Sequence, residues 1–266
     1  MRGPAIKTQP LFHRMREDSR ASATGGVAGL DPLRIGGESP SHEKGTISNQ
    51  FPVVYLARHG ETEWSLTGQH TGLTDLPLTQ RGEENARALR ERLTGLNLKK
   101  VFTSPLKRAT RTCELAGFGA VAEIDRNLLE WDYGQYEGLT TAEIHARRPD
   151  WLLFRDGCPG GESPEQVAAR ADSMVDRVRA RGTHLLLFSS GHFLRVLAAR
   201  WLALGAAAGK YLLLSTASVS ALGYENGLSG PVIQLWNDTR HVKAPEPRDT
   251  AVQTQSKETS LWPQRQ

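Results

Sequence analysis

An arginine and a histidine, Arg58 and His59, follow a short apolar run at residues 53–57 and precede Gly60. The run has the valine and tyrosine content of a buried strand, and the glycine ends it. Ligands of α/β sheets bind beyond the carboxyl ends of the strands, where these two side chains are expected to lie. A guanidinium matches phosphate geometry, and an imidazole can act as nucleophile, base or acid. The pair indicates phosphate chemistry, with an ordinary surface loop as the alternative.

Three further groups with similar chemistry follow other predicted strands. Arg108 lies early in the helix after the second strand, Glu130 ends an extended apolar segment, and His192 follows the most apolar run of the chain. Because parallel strands present their carboxyl ends at one edge of a sheet, these groups are predicted to meet Arg58 and His59 there. Unrelated residues that happen to follow four strands are the alternative.

The helix that carries Arg108 has an unusual start. Ser104 is predicted to cap it and Pro105 to be its first residue, and Lys107 and Arg111 join Arg108 in its first two turns. A helix N-terminus prefers anions, because its free N–H groups carry partial positive charge. Three cations at this end therefore favour an external anion bound there, and a solvated basic face is the alternative.

Strand-like runs alternate with helix-like segments, which predicts an α/β fold. The predicted strands lie at residues 53–57, 101–103, 185–188, 218–224 and 232–236, and residues 124–129 are predicted to be a strand or an extended segment. Predicted helices begin after Thr79, after Thr140 or Thr141, and after Ser163, and another spans residues 194–202.

Composition gives no support to several classes of protein. The 266 residues are 38% hydrophobic and 23% charged, which is typical of globular proteins, and the net charge of +4 forms no basic stripe for nucleic acid. No apolar run approaches the ~18 residues of a membrane span, and no secretory signal begins the chain, so a cytoplasmic location is expected. Cys113 and Cys158 suggest neither a disulfide framework nor a zinc site.

The two ends of the chain lack a periodic apolar pattern. Residues 1–50 and 244–266 are therefore predicted to be disordered, since they cannot bury enough surface to offset their ordering entropy. Acidic residues in the first segment argue against an organelle transit peptide. A single domain at residues 51–243 is predicted to hold every candidate group.

Several motifs occur in one order along the predicted domain. They are Arg58-His59-Gly60-Glu61-Thr62, Thr71-Gly72, Leu78-Thr79-Gln80-Arg81-Gly82, Ser104-Pro105-Leu106-Lys107-Arg108-Ala109, Glu130 before Tyr133-Gly134, and Gly191-His192. Together they resemble the histidine phosphatase superfamily, which includes the phosphoglycerate mutases, over about residues 53–237. The segments 131–138 and 155–163 are most similar to small phosphatases related to sedoheptulose-bisphosphatase and to broad-specificity acid phosphatases.

The resemblance implies a three-layer α/β fold with a mostly parallel central sheet and helices on both faces. It also implies a phosphohistidine mechanism in which His59 attacks phosphorus, while Arg58, Arg108 and His192 hold the phosphoryl oxygens. Glu130 would protonate the leaving oxygen, and no metal or other cofactor is required. Because Glu130 must carry a proton, we expect the rate to fall above mildly acidic pH.

The resemblance also implies a set of substrate-binding residues. Family positions that line the phosphate pocket or the substrate match Thr62, Ser65, Thr71, Gly72 and Tyr133. Contacts to the distal end of a sugar phosphate are expected from Arg155 and Glu162. Ordinary polar loop residues are the alternative for each.

A phosphomonoester hydrolase acting on small phosphorylated metabolites is the predicted function. A phosphoglycerate mutase is the nearest alternative, but the short segment between Gly138 and Ser163 lacks the insertion by which mutases grip phosphoglycerate, and Ser65 stands where mutases usually have asparagine. A catalytically silent protein that binds phosphorylated ligands is the alternative from another class. The only predicted partner is the small substrate, and the resemblance leaves a homo-oligomer open.

Overall fold

The computed structural model describes residues 51–242. The two segments predicted to be disordered, 1–50 and 244–266, lie outside the described residues, as does residue 243. The strands are β1 (Val54–Arg58), β2 (Lys100–Thr103), β3 (Ala122–Ile124), β4 (Leu185–Ser189), β5 (Val219–Tyr224) and β6 (Pro231–Asp238). The helices are α1 (Glu63–Thr67), α2 (Gln80–Leu93), α3 (Lys107–Leu115), α4 (Thr141–Arg147), α5 (Leu153–Asp156), α6 (Pro164–Arg181) and α7 (Gly191–Trp201).

The six strands form one sheet in the order β3-β2-β4-β1-β5-β6. The pairs β1–β4, β2–β4 and β2–β3 are parallel, whereas β5 runs antiparallel to both β1 and β6. Five of the six strands therefore run in one direction. The prediction of an α/β fold with a mostly parallel sheet is confirmed.

Alternate residues of the central strand β4 belong to two separate cores. Leu185 and Leu187 pack in the core that contains the apolar faces of α6 and α7, while Leu186 and Phe188 pack with residues of α2 and α3. All five residues of β4 are buried, as the apolar run predicts for a strand covered on both faces. Two cores on opposite faces of one sheet make the fold three-layered.

Local capping follows the sequence signals for three helices. Thr79 caps α2, and Thr140 and Ser163 each form a capping box at the start of α4 and α6. Each side chain accepts a hydrogen bond from an N–H group that the helix leaves free. Among the described helices, none is long and apolar enough to cross a membrane.

Three predicted boundaries are wrong. Ser104 does not cap α3, because its hydroxyl accepts the N–H of Leu106 over 3.5 Å and Leu106 is itself the residue before the helix. The predicted strand at 124–129 is β3 followed by a 3₁₀ turn over residues 126–128, which Asp125 caps with its side chain. Helix α7 begins at Gly191 rather than at Leu194, so His192 lies in its first turn.

Candidate active site

His59 lies at the point where β1 ends. Its N–H donates to the Ser189 carbonyl and its own carbonyl accepts from the N–H of Ala217, each over 2.9 Å, so the chain is held by β4 on one side and by the segment before β5 on the other. The next residue must be small, because a Cβ on Gly60 would lie 2.5 Å from the Gly82 carbonyl oxygen at the start of α2. The strand therefore turns sharply against α2 and leaves the imidazole at the sheet edge.

The hydrogen bond of the His59 ring defines its tautomer. Nδ1 lies 2.7 Å from the Gly60 carbonyl oxygen, which can only accept, so Nδ1 carries the proton and Nε2 keeps a free lone pair. Burial holds the pKa of His59 well below its ordinary value of 6.5, and the charges of Arg108 and Arg58 lower it further. The ring is a neutral imidazole with one nitrogen available for attack.

The low pKa of His59 predicts that the nucleophile stays neutral in mild acid. For a histidine with an ordinary pKa, the fraction of neutral imidazole would fall about thirtyfold between pH 8 and pH 5. We expect kcat for p-nitrophenyl phosphate, whose leaving group needs no acid, to change less than about threefold over that range. A pH–rate profile checks this, and a titration centred near pH 6.5 would contradict it.

Two guanidinium groups border His59, one on the half-buried Arg58 and one on the fully buried Arg108. Arg58 donates from Nη1 to the Leu214 carbonyl, and Arg108 donates from both terminal nitrogens to carbonyls of the loop at residues 71–74. These bonds fix both groups, yet the Nε of each is buried and has no partner within residues 51–242. A buried N–H without a partner is costly in a ligand-free protein and is ready to bind an anion.

The other two cations of α3 do not serve an external anion. Lys107 lies near Asp75, whose carboxylate also accepts the N–H of Lys107 over 2.6 Å at the helix start. Arg111 pairs with Glu83 and Glu114 at the surface, over 2.9 and 3.2 Å. The expectation that three cations share one bound anion is therefore wrong for Lys107 and Arg111, which form exposed ion pairs.

Glu130 accepts three backbone hydrogen bonds. Oε1 accepts from the N–H groups of Trp131 (2.9 Å) and Phe193 (2.7 Å), and Oε2 accepts from that of His192 (3.0 Å). Two of these donors belong to the first turn of α7, where a carboxylate also meets the positive end of the helix dipole. The carboxylate is thus held against α7, with its position set by backbone on two sides.

His192 and Tyr133 form a hydrogen-bonded pair in the pocket wall. The Tyr133 hydroxyl lies 2.5 Å from Nδ1 of His192. Burial raises the pKa of Tyr133 and lowers that of His192, which favours a protonated phenol and a neutral ring. When the hydroxyl donates to Nδ1, the imidazole proton is on Nε2, which can then donate to a ligand.

The two histidines have different charged neighbours. Arg108 and Arg58 lower the pKa of His59, whereas Arg195, His70 and Arg58 lower that of His192. Arg58 is the neighbour that they share. Both histidines line the same pocket.

The predicted binding residues of the loop after β1 have mixed positions. Ser65, Thr71 and Tyr133 line the pocket. The candidate catalytic groups line it too, with the exception of Arg108, which is fully buried. Thr62 is buried and caps α1, and Gly72 donates its N–H to the Glu137 carboxylate. Thr62 and Gly72 therefore shape the loops around the pocket and do not form its wall.

Arg155 and Glu162 lie outside the pocket. Arg155 is exposed and pairs with Asp156 over 2.8 Å. Glu162 accepts from Arg170 over 2.7 Å, and Arg170 in turn donates to the Glu130 carbonyl over 3.2 Å. Local ion pairs hold both side chains, and their contacts with the distal end of a substrate stay a prediction.

A family model for the histidine phosphatase superfamily (branch 1) matches residues 54–239. The chain belongs to this superfamily. An acid phosphatase of Mycobacterium tuberculosis is 44% identical over 181 residues, covering 66% of this chain and 88% of that protein. Sedoheptulose 1,7-bisphosphatase of Saccharomyces cerevisiae is 36% identical over 186 residues, covering 58% and 69%. The solved structure of an open reading frame product from M. tuberculosis has a TM-score of 0.67 and 40% identity, covering 70% and 97%.

Seven residues of this histidine phosphatase line the pocket without belonging to the predicted motifs or site residues. They are Trp64, Gly68, Gln69, His70, Thr141, Arg195 and Leu214. For Arg195 a signal existed, since it lies three residues after His192 and therefore on the same face of a helix. His70 lies in an irregular loop, where spacing does not indicate which side chains point inward. Burial lowers its pKa to about 4, so it is neutral in the ligand-free pocket.

Proposed function

We propose that this histidine phosphatase hydrolyses phosphomonoesters of small polar metabolites, sugar phosphates among them, through a phosphohistidine at His59. The observation that carries the proposal is the neutral, buried His59 with Nε2 free and the unpartnered Nε–H groups of Arg58 and Arg108 close by. A nucleophile and fixed anion-binding donors in one buried corner are the requirements of phosphoryl transfer.

In the proposed first step, Nε2 of His59 attacks phosphorus as the bond to the ester oxygen breaks. The leaving oxygen takes a proton delivered through Glu130, and the metabolite departs as an alcohol. In the ligand-free protein three N–H donors surround that carboxylate, so we expect the proton to enter with the substrate monoanion, which loses it near pH 6. The preference for mildly acidic pH then has a physical origin in the substrate.

In the second step, water attacks the phosphohistidine. Glu130 accepts the proton from that water, the N–P bond breaks, and inorganic phosphate and free His59 result. The two arginines stabilise the equatorial oxygens in both steps. At an effective dielectric constant near 20, a cation ~4 Å from an anionic oxygen contributes roughly 4 kcal/mol before desolvation is subtracted. Such preorganised charge supplies much of the acceleration in phosphoryl transfer.

The pocket favours a small polar leaving group. The volume of the whole cavity, which includes the space beside Arg58 and His59, is about 240 Å³. The polar side chains that also line it are those of His70, Thr141, His192 and Arg195. The relatives named acid phosphatase and sedoheptulose 1,7-bisphosphatase support phosphorylated metabolites of this size. All residues of the proposed mechanism come from one chain.

Arg195 is proposed to contact the sugar portion or a second anion of the substrate. Its Nε and Nη2 donate to the carbonyls of Gly209 and Lys210, over 2.9 and 3.0 Å, so the guanidinium is held in place. We expect Arg195→Gln to raise KM for a sugar phosphate about tenfold with little change in kcat, since one charge-assisted hydrogen bond is lost. Steady-state kinetics check this. Arg200→Gln is the matched control on α7. Arg200 pairs with the surface residue Asp172, so this variant should leave KM unchanged.

The experiment that tests the function is phosphate release from a panel of phosphorylated metabolites, with a chelator present and no metal added. The panel contains sugar bisphosphates, sugar monophosphates and 3-phosphoglycerate. Phosphate release from sugar phosphates is the expected result. Interconversion of phosphoglycerates without release would instead show a mutase, and binding without turnover would show a silent phospho-ligand-binding protein.

A further inference from the structure

Ser190 lies at the same level of the sheet as His59. In the parallel pair of β1 and β4, Arg58 is opposite Ser189, so the next residues, His59 and Ser190, leave the sheet side by side. Ser190 is fully buried, and its hydroxyl has no hydrogen-bond partner within the described part of the chain. A buried hydroxyl without a partner destabilises a protein and calls for an explanation.

A serine at this position usually caps the helix, but here another residue accepts the hydrogen bonds of the cap. Ser190 is the residue before α7, where a serine side chain normally accepts from the second or third N–H of the helix. Those two donors, on His192 and Phe193, are bound by Glu130 instead. The capping residues of α1, α2, α4 and α6 all accept such bonds, so the hydroxyl of Ser190 differs from theirs.

The surroundings of Ser190 suggest an anion as the missing partner. The guanidinium of Arg58 packs over the neighbouring Gly191, where a Cβ would lie 3.2 Å from Nε and Cζ of the arginine. The unpartnered Nε of Arg58 and the unpartnered hydroxyl of Ser190 thus belong to one corner beside His59. An oxygen of a phosphoryl group on His59 would give both donors an acceptor.

We propose that the Ser190 hydroxyl donates a hydrogen bond to the phosphoryl group during transfer to and from His59. The inference rests on the proposed function and adds to it a neutral donor beside His59. His192, which is hydrogen-bonded to Tyr133, lines the same pocket. Because a serine hydroxyl does not titrate in this range, its contribution is the same at pH 5 and pH 7.

The test is Ser190→Ala, measured for kcat and for melting temperature with and without inorganic phosphate. We expect kcat to fall about 10- to 100-fold at both pH values, as for other lost donors to a transferring group. The melting temperature without phosphate should not fall, because the hydroxyl removed had no partner. The rise in melting temperature caused by phosphate should be smaller than in the wild type.

Ser189→Ala is the matched control for stability. The Ser189 hydroxyl donates to the Leu128 carbonyl over 2.6 Å, so its removal should lower the melting temperature. The proposal for Ser190 is overturned if kcat of Ser190→Ala stays within about threefold of the wild type, or if its melting temperature falls as that of Ser189→Ala does. A wild-type enzyme without any turnover would instead refute the proposed function, so the two failures are distinguishable.

Discussion

Replacing His59 with alanine is expected to lower kcat by about 10⁴-fold or more on every phosphate ester, because no other described group has its combination of position and free lone pair. The fold should change little, since the side chain makes one hydrogen bond, to the adjacent Gly60 carbonyl. Phosphate release by purified wild type and variant, with circular dichroism on both, measures the effect.

The matched control is His184→Ala. His184 precedes β4 at the opposite edge of the sheet, where its Nδ1 accepts the N–H of Val53 over 3.0 Å. This variant should lose some thermal stability and keep its kcat. A His59→Ala variant with more than about a hundredth of wild-type activity would show that another group, or water directly, attacks phosphorus.

Replacing Glu130 with glutamine is expected to affect substrates according to their leaving groups. A sugar alkoxide needs a proton as it departs, so kcat on a sugar phosphate should fall about 10²- to 10⁴-fold. The p-nitrophenolate ion leaves without a proton, so kcat on p-nitrophenyl phosphate should fall less than about tenfold while phosphohistidine formation limits the rate. Kinetics with a series of esters of graded leaving-group pKa measure the difference.

The series contains its own control, because every ester is tested on the same variant. An amide cannot accept all three N–H groups that Glu130 accepts, so some activity could be lost through a displaced α7. Such a loss would be equal for all leaving groups. Equal losses across the series would therefore contradict proton transfer through Glu130.

The fold could be predicted from the sequence because its signals are local. The apolar run at 185–188 and the glycine after His59 define the sheet edge, and the capping residues Thr79 and Ser163 define two helix starts. The prediction failed at Ser104-Pro105, because the helix begins two residues later, at Lys107. It also failed at 124–129, because the residues that pair with β2 are 122–124 and only Ile124 of the predicted strand is among them.

The pocket could be predicted only in part. Positions that directly follow strands were found, because topology brings them to one edge of the sheet. The positions of side chains that depend on tertiary partners could not be predicted. Local ion pairs hold Arg155 and Glu162 outside the pocket. The loop that carries His70 has no regular period that would show which side chains point inward. Ser190 has an unremarkable sequence signal, since a serine before a helix is expected to cap it. Only the structure shows that its hydroxyl has no partner, because Glu130 accepts the N–H groups that a capping serine would bind.

The most direct test of the central claim is to trap the covalent intermediate. Enzyme mixed with a ³²P-labelled phosphate ester is quenched in alkali within milliseconds, digested, and the labelled peptide is sequenced by mass spectrometry. We predict one phosphate per chain on Nε2 of His59, stable in alkali and lost in acid, and no label in His59→Ala. Label on a different residue, or turnover with no labelled peptide under conditions that trap other phosphohistidines, would contradict the mechanism.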